Sequence, residues 1–133
     1  MKYILMMNTM TAGDVYAGVS GWQQNDIQRH TAFLKDLSKS LRESGELIST
    51  EGLALPDQAR IVRAGRNGAP ITDGVFPERT DFLAGYWIVD VESPERAHQI
   101  AARASAAPGP GGRPLNMPIE VRQVMSGPPD EFL

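Results

Sequence analysis

The sequence contains no cysteine. That removes disulfide frameworks, thiolate zinc sites and cysteine nucleophiles together, and it suits a reducing compartment. Histidine is scarce: His30 and His98 are the two present, in neither HxxxH nor HxH spacing, so no metal site is expected. A basic surplus is also missing. Thirteen Lys and Arg stand against 16 Asp and Glu, for a formal net charge of -3, so no nucleic-acid partner is expected. No apolar run approaches the ~20 residues that cross a bilayer. The opening Met1–Met7 run is too short for the apolar core of a secretory signal and lacks a small-residue cleavage pattern, so a cytoplasmic protein with no membrane partner is expected. No serine sits in a GxSxG elbow. The glycines at 109, 111 and 112 follow a helical segment instead of opening one, the wrong order for a phosphate cradle. No cofactor is expected, and no repeat or low-complexity tract is present.

What remains is ordinary globular material. Of 133 residues, 41% are apolar and 22% charged, enough for one core and cramped for two. The reading is one domain over residues 1–125 with a tail at 126–133. Lys2–Asn8 is an apolar run of strand length, and residues 9–21 read as a Gly/Ser/Thr-rich mobile loop. Residues 22–44 carry a helical stripe: Ile27, His30, Leu34, Leu37 and Leu41 are spaced 3, 4, 3 and 4 apart, with Gly45 as terminator. Extended segments follow at Glu46–Leu55 and Ala59–Ala64. A turn at residues 65–68 returns the chain over Ala69–Thr72 as a short hairpin arm. Leu83–Val91 is aromatic and β-branched, hence a strand. Ser93-Pro94-Glu95 opens a second helix as N-cap, first-turn proline and dipole-complementing acid, with Ala97, Ile100, Ala101 and Ala104 on one face. Pro108–Gly112 is a loop, and Ile119–Met125 is the last strand.

That order predicts an α+β fold of the ferredoxin-like, split βαβ kind: an antiparallel sheet with both helices on one face. The other face, with apolar side chains from Tyr86–Val89, would be left open. An open apolar face predicts a homodimer in which two sheets pack on each other.

Residues 73–90 read DGVFPERTDFLAGYWIVD. Asp73, Gly74, Phe76, Glu78, Gly85, Tyr86 and Asp90 resemble, in order and spacing, the signature of the YCII-related (DGPF) family. The resemblance extends to the opening Lys2–Leu5 strand, Gly45–Leu47, Glu51–Leu53 and Glu120–Arg122. Val75 replaces the family's usual proline, Pro77 follows Phe76, and the loop over 105–117 is longer than usual. The resemblance implies a ferredoxin-like fold in a dimeric α/β-barrel assembly, a superfamily that includes muconolactone isomerases. It also implies a helix-borne His paired with the motif's Asp in some members, and association with sigma factors in others.

Two residues carry the chemical expectation. His30 lies in the apolar stripe, so it points inward, and its imidazole titrates near neutral pH. If Asp73 reaches the ring N–H, it fixes the tautomer and favours the protonated form. Such a dyad would serve a cofactor-free isomerase or lyase acting on a small carbonyl or carboxylate compound. Against it stands a plainer assignment: His30 as a core residue bonded to a backbone carbonyl, Asp73 as a turn residue, and the domain as a non-catalytic small-ligand or regulatory module. Glu51 is a further candidate for the same cleft. Arg60, Arg63 and Arg66, with Arg79 nearby, form a basic cluster for a carboxylate or an acidic partner, or simply a solvated hairpin. His98 is expected in solvent.

Overall fold

A computed structural model describes residues 1–10, 22–74 and 81–125. Of the loop expected over residues 9–21, Thr9 and Met10 instead extend the first strand, where they pair with Phe82 and Asp81; the rest of that loop, Val75–Thr80 of the DGVF motif with Arg79, and the 126–133 tail lie outside the described residues.

Among the described residues, six strands and two α-helices follow in order: β1 (Lys2–Met10), α1 (Gln24–Glu43), β2 (Leu47–Gly52), β3 (Ile61–Ala64), β4 (Pro70–Asp73), β5 (Asp81–Asp90), α2 (Pro94–Ser105) and β6 (Ile119–Gln123). The main sheet has the order β2-β5-β1-β6, and β3-β4 forms a separate ribbon. Every neighbouring pair is antiparallel. β1 and β2 are therefore split by β5, and β5 and β6 by β1, as expected for split βαβ units.

Alternation assigns the two faces of the sheet. Tyr3, Leu5 and Met7 of β1 and Trp87 and Val89 of β5 are buried under the helices with Leu37 and Leu41 of α1 and Ile100 of α2. Ala97, Ala101 and Ala104 are buried in the same core; their small side chains let α2 lie close to the sheet. On the opposite face Ile4 pairs with Ile88 and Met6 with Tyr86, all four only partly buried.

The helix ends follow local chemistry. At the α1 C-terminus Gly45 takes φ 79°. Its N–H bonds the Arg42 carbonyl at 3.1 Å and the Glu46 N–H bonds the Leu41 carbonyl at 2.9 Å, the paired reverse bonds of a glycine-terminated helix. At the start of α2 the Ser93 hydroxyl accepts from the Arg96 N–H at 3.2 Å. The expected apolar stripe holds from Leu34 onward. Ile27 departs from it, being 36% exposed. The first turns of α1 face the Pro108–Gly112 loop instead of the sheet, and the side chains turned that way are polar. Asp26 is buried and accepts from the Gly111 N–H at 3.2 Å.

Among the described residues, no helix is long and apolar enough to cross a membrane.

Candidate functional site

His30 and Asp73 belong to different parts of the molecule. His30 sits on the second turn of α1, half-buried, with Nδ1 2.9 Å from the Pro108 carbonyl oxygen. A carbonyl only accepts, so Nδ1 carries the proton and the neutral ring keeps its lone pair on Nε2. Trp22 packs against the ring edge-on, centroids 5.5 Å apart. Asp73 ends β4 in the ribbon. The ribbon's register places it opposite Ile61, so Arg63, two residues along, shares its face. The Arg63 Nη2 donates to Asp73 Oδ2 at 3.1 Å, with both side chains more than half exposed. Each member of the expected dyad is thus held by another partner, and the chain does not bring the two into hydrogen-bond contact with each other.

The cleft lies elsewhere along the same helix. Between α1 and the β2–β5 edge opens a space of about 460 Å³. Its helix wall is formed by Thr31, Leu34, Lys35, Ser38 and Arg42. The polar members are spaced 4, 3 and 4 apart, a second stripe running beside the apolar one. The floor is Met7 and Trp87, and the sheet wall includes Thr50, Gly52 and Gly85. The indole N–H of Trp87 donates to Ser38 Oγ at 3.3 Å, which leaves the Ser38 hydroxyl proton free for another acceptor. Thr50 differs, because its hydroxyl already donates to the Tyr86 carbonyl at 2.9 Å.

Among the described residues no Asp or Glu lines this cleft, although the whole chain is net acidic. Glu51, a candidate from sequence, is absent because Thr50 pairs with Trp87 and Gly52 with Gly85 on the helix side, so alternation turns Glu51 to the opposite face. Lys35 and Arg42 have no ion-pair partner among the described residues, in contrast to Arg63 and Arg96. The cleft therefore offers two uncompensated cations, a free hydroxyl donor and an apolar floor, an arrangement suited to a small organic anion. Among the described residues no three His, Cys, Asp or Glu side chains gather as a metal-binding group.

The basic cluster is solvated in part: Arg60 donates to the backbone carbonyls of Asp57 and Ala59, and Arg66 is exposed, as is His98 on α2. In the sequence Lys35 and Arg42 stand beside the apolar stripe of α1 with nothing local to set them apart from a solvated helix face. Their joint spacing with Thr31 and Ser38 was the signal that could have found the cleft.

Residues 1–109 match the family model described as the YCII-related domain. No curated protein matches the chain.

Proposed function

The chain belongs to the YCII-related family, and from that premise we propose that it binds a small carboxylate-bearing compound in the cleft between α1 and the β2–β5 edge. The observation that carries this reading is a lining that, among the described residues, holds no acid and leaves Lys35 and Arg42 unpaired above the floor of Met7 and Trp87. A carboxylate entering there meets charge-assisted donors, and its apolar part replaces water over the indole.

A catalytic role is a separate matter that rests on His30, which stands outside the lining of this cleft. The Pro108 carbonyl fixes its tautomer, as an orienting partner does for a general base, and leaves Nε2 as the proton acceptor. In this reading the backbone carbonyl does the orienting that was expected of Asp73. For Asp73 to join the site it would first have to exchange Arg63 for the imidazole. The same reading takes the active form to be a homodimer, two copies joined through the face that carries Ile4, Met6, Tyr86 and Ile88.

Titration with small carboxylates and their neutral amides, followed by backbone amide NMR, tests the proposal. Saturable shifts at Thr31–Arg42 for carboxylates only are expected, and they should weaken about tenfold or more in Lys35→Ala/Arg42→Ala, where two charge-assisted contacts are lost. Absence of saturable binding by any carboxylate would end it. Conversion of a bound compound over time, lost in His30→Ala with binding retained, would assign the catalytic role; binding without conversion leaves a binding module.

A further inference from the structure

Within the binding role just proposed, we infer that the preferred ligand is a linear dicarboxylate lying along α1, an acyclic dianion of about the length of azelate. The inference rests on that role and adds the second charge.

The polar stripe is a repeated unit. Thr31 precedes Lys35 by four residues, and Ser38 precedes Arg42 by four. Residues so spaced are neighbours on one helix face, so each unit places a hydroxyl beside a cation. The units are offset by seven residues, two turns, which separates them by about 10 Å along the axis. Each is equipped for one carboxylate: the cation supplies charge and the hydroxyl a hydrogen bond. At Ser38 the donor is free because the indole N–H of Trp87 takes the oxygen's acceptor role. At Thr31 no partner competes among the described residues.

The surface between the units is apolar. Leu34 lies on α1 between them, and Met7 and Trp87 face it from the sheet. A methylene chain joining two carboxylates would cover these side chains. A monocarboxylate would fill one unit and leave the other cation with water alone. A dianion of matched length compensates both, in a cleft where no acid among the described residues competes. The acids of α1, Asp26, Asp36 and Glu43, lie off this stripe.

The test compares adipate, suberate and azelate with hexanoate and azelamide, by Trp87 fluorescence in a Trp22→Phe background and by amide shifts along α1. A dicarboxylate is expected to bind about tenfold more tightly than hexanoate, the scale of one added charge-assisted contact. Lys35→Ala and Arg42→Ala should each reduce it to hexanoate's affinity, while Lys39→Ala, exposed and outside the lining of the cleft, should leave it unchanged. Hexanoate binding as tightly as every dicarboxylate would overturn the inference while leaving a monocarboxylate site. Failure of both classes to bind would remove the binding role itself.

Discussion

Glu46 ties three elements together through one carboxylate. It stands between α1 and β2, and Arg96 of the first turn of α2 donates to both of its oxygens at 2.8 Å. The Ser44 hydroxyl donates to the same group at 2.8 Å. The two guanidinium bonds hold the Glu46 carboxyl down at about 2, against 4.5 ordinarily, with desolvation opposing them and Ser44 assisting. In the unfolded chain the group regains its ordinary affinity for protons. The resulting stability is therefore present above about 4.5 and is lost as pH falls toward about 2. Arg96 is 36% exposed, so solvent screening reduces the contribution to about 1 kcal/mol. Urea midpoints measured across that range should fall less steeply for Glu46→Gln than for the wild type; equal slopes would show that the pair contributes nothing. This pair was not legible in the sequence, because its partners are 50 residues apart and only the packing of α2 beside β2 selects them. His30 was legible as a residue on the covered side of α1, although the loop at Pro108 and not the sheet covers it. Its bond to the Pro108 carbonyl was not, since nothing local marks which backbone group the loop will present.

Helix α1 was the most legible element, because its apolar spacing and terminal glycine agree. Gly45 has a left-handed backbone and nothing within 4 Å of a built Cβ, so a substitution there acts through conformation alone. Gly45→Ala should cost about 1 kcal/mol in chemical denaturation, and Gly45→Asn less, since asparagine tolerates that region. Equal losses for both would point to something other than backbone strain. The polar stripe of the same helix was harder to read. Its spacing is plain, but a helix face lined with Lys, Arg, Ser and Thr looks the same in sequence whether it meets water or the edge of a sheet. Only the position of β2 and β5 makes it a wall. The β3–β4 ribbon was legible through its turn at 65–68, and Asn67 does take φ 60°. The pairing that gives Asp73 to Arg63 came from register, which the turn alone did not define.

At the scale of the whole molecule, the proposed homodimer explains why four apolar side chains lie on the face away from the helices. Ile88 is central to that face, opposite Ile4 and beside Ser49. A carboxylate there would face its own copy across a twofold interface and lose hydration. Ile88→Glu should shift the mass seen in sedimentation equilibrium from dimer to monomer, with the helix-side core intact by circular dichroism. A wild-type chain that sediments as a monomer at all concentrations would remove the dimer. The split βαβ order was legible from the succession of elements, whereas the pairing of the faces of two copies is a property no single chain displays.

The sheet order β2-β5-β1-β6 also interleaves the two halves of the chain, each supplying one central and one edge strand. Neither β1-α1-β2 nor β5-α2-β6 has its own two strands side by side, so neither owns a paired sheet by itself. A chain cut at the turn of the ribbon would yield two pieces that depend on each other for every backbone ladder of the main sheet. That mutual dependence suits the domain to reconstitution from fragments, each half templating the other.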